Sequence, residues 1–262
     1  MKDFFIKVWD KLHLYPFIVT AYIEPTNYCN LRCLTCYSKD RPKGYMDMNL
    51  FYKIKDQIYR IPTISNITLN FAGEPTLHPK HLEMVEAFNT KNALGRQYKT
   101  RFFTNGSNPL TKYVDKVDYI SVSLDGIGQV HERMRPGSDW ENVEKNVLDL
   151  INTNRKRTKV GITLIPYGQS PTEIEDFVGY WRDFDVIVGV GEYHDENLQV
   201  SRPPTPVRPC GRLRHQINIY WNGDVTTCCA DLNGINIIGN INKTHLGDIK
   251  RIEKELCKTC NY

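Results

Sequence analysis

The 262-residue chain has no apolar run near the roughly 20 residues a membrane helix needs. It has no large charge excess either: 34 basic and 30 acidic residues leave +4, too little for a phosphate-tracking surface, so the charge does not point to nucleic acid. Repeats and low-complexity tracts are missing, and 40% hydrophobic residues exclude a disordered chain. The first residues carry Lys2, Asp3, Lys7, Asp10 and Lys11 where a signal peptide needs an uncharged stretch. The expectation is therefore a cytoplasmic protein.

Cysteine is absent between Cys36 and Cys210 and concentrated on either side. Eight cysteines in a reducing compartment are not read as four disulfides; metal or iron–sulfur ligation, catalytic thiols or inert buried residues remain. Cys29, Cys33 and Cys36 form one group, and Cys210, Cys228, Cys229, Cys257 and Cys260 the other.

Hydrophobic periodicity predicts a packing helix over 3–14, ended by Pro16, and then a regular alternation. Strands are expected at 18–23, 67–71, 100–103, 119–124, 160–165 and 186–190, and helices at 50–61, 81–88, 140–151 and 173–184. A short segment is expected at 110–117. Strands alternating with helices imply parallel pairing and right-handed crossovers, hence a doubly wound sheet or a curved partial barrel, with ligands at the carboxyl ends of the strands. Residues 191–209 hold four prolines and no period, which reads as a linker across the barrel mouth. Asn222-Gly223-Asp224 between 217–221 and 225–228 predicts a hairpin, followed by a short helix at about 245–256. This apolar-poor tail is expected to need a staple such as metal ligation.

Cys29, Cys33 and Cys36 follow the first strand in a C-x-x-x-C-x-x-C loop ending at Tyr37. Three thiolates at this spacing can wrap three corners of a cubane and leave one iron open; a zinc loop borrowing a distant fourth ligand is the alternative. Phe71-Ala72-Gly73-Glu74-Pro75 ends the second strand, Thr104-Asn105-Gly106 the third, and Ser121-Val122-Ser123-Leu124-Asp125-Gly126 the fourth, with alternation putting Ser121, Ser123 and Asp125 on one face. His131 to Arg135 follows.

These motifs, in this order, resemble the radical S-adenosylmethionine (SAM) superfamily over nearly the whole chain. The resemblance implies an α/β fold, a partial (β/α)6 TIM-like barrel, with three parts: a packing helix at 1–16, the barrel at 17–190, and a linker plus small cluster-binding unit at 191–262. It implies a [4Fe–4S] cluster on Cys29, Cys33 and Cys36, with SAM contacts at Tyr37, Ala72, Gly73, Glu74, Asn105, Ser121, Ser123 and Arg135. Ala72 stands where the family has glycine, so the backbone there must avoid glycine-only angles.

Cys210, Cys228, Cys257 and Cys260 resemble the family's Twitch appendage, a shortened SPASM domain of hairpin and short helix that holds one auxiliary [4Fe–4S] cluster. A zinc ribbon is the alternative. Cys229 is surplus, read as a small buried residue or a hydrogen-donating thiol, facing away from Cys228 if both lie on a strand.

Four protein ligands would leave the auxiliary cluster closed and suited to accepting an electron. The implied reaction is oxidation of a hydroxylated small molecule such as an aminosugar or cyclitol, because the auxiliary spacing resembles that of aminoglycoside-pathway dehydrogenases. The Ser-Leu-Asp-Gly and arginine run is instead closer to peptide-modifying members, so a peptide maturase or epimerase is the alternative. The 28 residues before Cys29 are too few for the leader-peptide domain many of those carry. A non-enzymatic zinc or iron–sulfur module is the reading of another class. A flavodoxin- or ferredoxin-type reductant is implied as partner. Candidate substrate contacts are Tyr167, Tyr193, His194, Asp195 and Glu196; His194 is a candidate general base because an unperturbed imidazole titrates at about 6.5, and Cys229 and Tyr193 are further catalytic candidates.

Overall fold

A computed structural model describes residues 18–38, 41–154, 157–193 and 215–250. The expected helix at 3–14, most of the linker including His194, Asp195 and Glu196, and Cys210, Cys257 and Cys260 lie outside the described residues.

Among the described residues nine strands form one sheet in the order β6-β5-β4-β3-β2-β1-β7-β8-β9. The strands β1 (Thr20–Ile23), β2 (Asn66–Thr68), β3 (Lys99–Thr104), β4 (Tyr119–Ser123), β5 (Lys159–Leu164) and β6 (Ile187–Val190) are parallel and adjacent in chain order. This is the expected partial-barrel arrangement. Helices α1 (Met48–Tyr59), α2 (His81–Glu86), α3 (Gln129–Met134), α4 (Trp140–Thr153) and α5 (Pro171–Trp181) connect the strands.

Local chemistry fixes the helix starts. Asp47 caps α1 by accepting from the Asn49 and Leu50 amides, and Ser170 with Glu173 forms a capping box on α5, with Pro171 inside the first turn. One residue set from each strand, including Ala21, Ile23, Ile67, Phe102, Ile120, Val122 and Ile162, packs with Phe51, Ile54, Val143, Val147, Phe177 and Trp181 of the helices to form the core. The alternate set, Tyr22, Thr68, Arg101, Ser121 and Ser123, faces the other side of the sheet, the barrel interior.

The short segment expected at 110–117 holds a 3-10 turn, Thr111–Tyr113. The helix α3, which follows the motif at the end of β4, was not expected. The tail has a core after all: β7 (Gln216–Ile219) pairs parallel to the free edge of β1, so Ile217, Ile219, Val225, Ile241, Leu246 and Ile249 join the barrel core. The Asn-Gly-Asp hairpin forms as expected between β7 and β8 (Asp224–Thr226), with Gly223 at φ +86 in the turn; β9 (Gly239–Asn240) then pairs with β8. Of the helix expected at about 245–256, the described part holds instead a 3-10 turn, Leu246–Asp248, followed by an extended Ile249, and residues 251–256 lie outside the described residues.

Candidate active site

The segment after β1 is where the motifs meet. Its backbone is fixed by bonds from Arg32 N to Pro136 O (2.9 Å) and Leu34 N to Met134 O (3.0 Å), which dock it on the end of α3. Glu74 N donates to Tyr28 O (2.7 Å), and Asn105 Nδ2 to Asn30 Oδ1 (2.9 Å). One loop thus gathers the strand-end motifs of β2 and β3 and the segment after β4. The left-handed Gly73 (φ +75) makes the first contact possible, since a Cβ there would sit 2.6 Å from Tyr28 O. Ala72 needs no such freedom: among the described non-glycine residues only Asp115 has a positive φ.

Cys29 and Cys33 are half-buried and Cys36 is exposed. Leu31 N donates to Cys29 Sγ (3.5 Å) and Arg135 Nη1 to Cys33 Sγ (3.7 Å). Burial pushes the Cys29 thiol up, and pushes Cys33 up to about 11 although Arg135 pulls the other way. Three thiols on one loop, two of them already receiving N–H donors, form a donor set suited to an iron–sulfur cluster.

Around this loop the polar groups divide into satisfied and unsatisfied. Glu74 is buried, and its carboxylate accepts from Thr76 N (3.1 Å), Thr76 Oγ1 (2.6 Å), Thr104 Oγ1 (2.7 Å) and Asn105 N (2.7 Å). Burial pushes this carboxyl up and those donors pull it back. Its first role is therefore to brace the β2 and β3 motifs together. Arg135 is held by Asp125, Nε to Oδ2 at 2.7 Å, and Asp125 Oδ1 accepts from Ile165 N (2.9 Å). Ser121 Oγ is buried with no hydrogen-bond partner among the described residues, and Asp125 Oδ2 and Arg135 Nε, although in ion-pair contact, likewise lack one of hydrogen-bond geometry. A hydroxyl left in this state fits a ligand that supplies its bond.

Sequence reasoning missed the hub that joins this loop to the C-terminal unit. Glu24, fully buried at the end of β1, takes both prongs of Arg41 at 2.9 and 2.6 Å, the Ala72 amide at 3.1 Å and the Trp221 amide at 3.3 Å. Arg41 also donates to Leu232 O (2.7 Å), and its guanidinium lies 4.1 Å over the Tyr220 ring. Glu24 was visible only as an acid at a strand end; nothing in the sequence names Arg41 as its partner.

Tyr37 reaches the same unit: its hydroxyl donates to Ala230 O (3.2 Å), and its carbonyl accepts from Asn233 Nδ2 (3.0 Å). Burial pushes its phenol up, reinforced by Cys229, Cys228 and Cys36 nearby. Cys228 and Cys229 therefore lie beside the first cysteine loop. They do not alternate across a strand as expected, because β8 ends at Thr226, whose Oγ1 accepts from Cys228 N (3.3 Å), and both cysteines fall beyond it. Tyr193 stacks on Tyr167 with ring centroids 4.6 Å apart. Among the described residues no helix is long and apolar enough to cross a membrane.

The radical SAM superfamily model matches residues 23–180, and the SPASM iron–sulfur cluster-binding domain model matches residues 210–261. The chain belongs to the radical SAM superfamily, whose cofactors are SAM and a [4Fe–4S] cluster, and it carries a SPASM domain for auxiliary iron–sulfur binding. A stretch of 105 residues is 39% identical to the tungsten-containing aldehyde ferredoxin oxidoreductase cofactor-modifying protein of Pyrococcus furiosus, covering 39% of this chain but only 28% of that one. In fold the chain is similar to SuiB of Streptococcus suis bound to its precursor peptide SuiA, with TM-score 0.69, 15% identity and coverage of 95% and 68% of the two chains. It is also similar to BtrN in complex with AdoMet and 2-DOIA, with TM-score 0.51, 16% identity and coverage of 89% and 82%.

Proposed function

We propose that Cys29, Cys33 and Cys36 ligate the SAM-binding cluster and that the protein catalyses a two-electron oxidation begun by hydrogen abstraction from a substrate carbon. When bound, the cofactors supply the electron that cleaves SAM to methionine and a 5′-deoxyadenosyl radical, the radical that abstracts hydrogen, and an auxiliary [4Fe–4S] acceptor for the second electron. The chain's own residues bind and orient. The observation that carries this reading is the convergence of Tyr28, Asn30 and Cys33 with Glu74, Asn105 and Arg135 on one loop.

In this arrangement the carbonyls of Ala72 and Gly73 hold the SAM amino group, Glu74 braces that turn, and Asn105 anchors the cysteine loop. Ser121 offers its unpartnered hydroxyl, with Ser123 one step further along β4. Arg135, pinned by Asp125, keeps further N–H groups for the SAM carboxylate. Cys228, with Cys210, Cys257 and Cys260, ligates the auxiliary cluster, a role supported by its place beside Tyr37. Barrel and auxiliary unit divide at about 190.

The favoured substrate is a hydroxylated small molecule such as an aminosugar or cyclitol, oxidised to a carbonyl with loss of two electrons and two protons: one hydrogen atom would pass to the 5′-deoxyadenosyl radical, the hydroxyl proton to a base, and the remaining electron to the auxiliary cluster. The four-cysteine auxiliary set supports it. A peptide substrate is the second reading. It is supported by the Ser121–Gly126 and Arg135 pattern and by the fold likeness to SuiB, which binds a precursor peptide. A flavodoxin- or ferredoxin-type protein supplies the reducing electron in either case.

Anaerobically reconstituted protein with SAM and a low-potential reductant should release 5′-deoxyadenosine, and Cys33→Ser should abolish it. Wild type should hold about eight irons, and Cys228→Ser about four; zinc at the second site would overturn the acceptor role. Deuterium passing into 5′-deoxyadenosine from a labelled cyclitol, or from a labelled peptide, decides between the substrates.

A further inference from the structure

Side chains of β3 separate into two sets. Phe102 faces the helices, with its ring 4.9 Å from that of His81 and 4.8 Å from that of Tyr113. Arg101 lies on the opposite face, in the barrel interior. There Nε donates to Thr68 Oγ1 (2.9 Å) and Nη2 to Tyr22 Oη (3.1 Å), with the guanidinium 5.8 Å from the Tyr22 ring. Every one of these partners is neutral.

Two largely buried guanidiniums of the site contrast with Arg101, whereas the exposed Arg32 on the cysteine loop likewise forms no ion pair among the described residues and donates to the Cys29 and Leu31 carbonyls. Arg41 has Glu24 at 2.6 Å and Arg135 has Asp125 at 2.7 Å, whereas no described carboxylate forms an ion pair with Arg101. A half-buried cation without a counter-charge is a cost to folding. Of the five guanidinium N–H groups two are committed, which leaves an Nη1/Nη2 fork of the geometry that carboxylate and phosphate accept.

The place suits a substrate group. Tyr22 and Phe71 meet edge-on at 6.3 Å, and Phe71 meets Tyr220 at 5.4 Å, so an aromatic wall runs from Arg101 to the residue preceding Ala72-Gly73-Glu74. Arg101 is three residues below Thr104, about 10 Å along the strand. A metabolite or an extended side chain spans that distance between its anion and a carbon near the strand ends.

We propose that Arg101 is the anion anchor of the substrate site, seating a carboxylate or phosphate group of the molecule that enters the barrel, which narrows the substrate to a phosphorylated or carboxylated molecule and sets aside an unmodified aminosugar or cyclitol. The identity of that molecule as a radical substrate rests on the function proposed above; the anion site itself is testable without turnover. Inorganic phosphate and acetate serve as probes of the reconstituted full-length holoenzyme, read as the thermal unfolding midpoint against concentration, with chloride at matched ionic strength as reference. Wild type should show a saturable rise for one or both anions, and which anion is stronger separates phosphate from carboxylate substrates. Arg101→Met should weaken the apparent affinity at least about tenfold, the loss expected for a hydrogen-bonded charged group. Arg101→Lys should fall between them, because a lysine keeps the charge without the fork, and it is the comparison to use if Arg101→Met does not fold. Taking the difference between wild type and variant removes general salting effects.

A phosphate or acetate response within twofold of wild type in Arg101→Met, or in both variants, overturns the proposal. So does a wild type that answers these anions no more than chloride. 5′-Deoxyadenosine release by wild type is scored in parallel: its absence beside an intact anion response sinks the radical reading alone, and its presence without an anion response sinks the anchor alone.

Discussion

Glu24 and Arg41 meet as a two-pronged ion pair at 2.9 and 2.6 Å, with the carboxylate wholly shielded from solvent. Removing one partner leaves the other charge buried and uncompensated, which typically costs about 3–5 kcal/mol. Arg41→Ala should therefore lower unfolding free energy by about that much in urea titrations, and more than Lys43→Ala, which removes only a donor to the Asn27 carbonyl. Equal losses from the two substitutions would show that the pair is not the joint between the cysteine loop and the C-terminal unit.

Arg135 serves two neighbours at once, Asp125 and Cys33. A double-mutant cycle of Asp125→Asn and Arg135→Met should give a coupling of about 1–3 kcal/mol in unfolding free energy. Additive losses would mean that the 2.7 Å contact contributes no pairwise energy.

Glycine is required at 73 but not at 72. Gly73→Ala forces a Cβ against Tyr28 O at a left-handed φ and should cost about 1–3 kcal/mol. Ala72→Gly should cost about 1 kcal/mol or less, through backbone entropy alone. Denaturant midpoints of the two variants test this, and the prediction fails if their order reverses.

His81 gives the protein an acid sensitivity unrelated to its cysteines. Its ring lies between Tyr113 Oη (2.8 Å) and Leu69 O (3.1 Å), and burial pulls its pKa down to about 3 from 6.5. The unfolded chain binds a proton near 6.5 that the folded one refuses until about 3. This contribution to stability is thus complete above 6.5 and lost as pH falls towards 3. Between pH 7 and 5 the loss should be about 2 kcal/mol. His81→Phe should reduce the slope by this amount and leave the like contribution of buried His131, whose pKa burial also pulls down to about 3; an unchanged slope would assign the acid sensitivity to other groups.

The strand rhythm was legible because alternation and short apolar runs are local signals, and the motifs were legible because their spacing places them at strand ends. What stayed hidden is tertiary. Arg41 and Arg101 look like any solvated basic residues in the sequence, and only folding reveals that one meets Glu24 and the other meets Tyr22 and Thr68. The tail was misread for the same reason: Ile217 and Ile219 looked too few to make a core, and they borrow one by pairing with Ala21 and Ile23. For Cys228 and Cys229 the alternation rule does not apply, because β8 ends at Thr226, before either residue.

The parallel pairing of β7 with β1 makes the C-terminal unit a closure as well as a cofactor platform. Along residues 20–23 it covers main-chain donors and acceptors that would otherwise stand open as a template for another strand. A chain cut short before β7 would bare that edge together with the buried Glu24 beside it. Its failure would then be self-association, and loss of activity in such a truncation would say nothing about electron transfer.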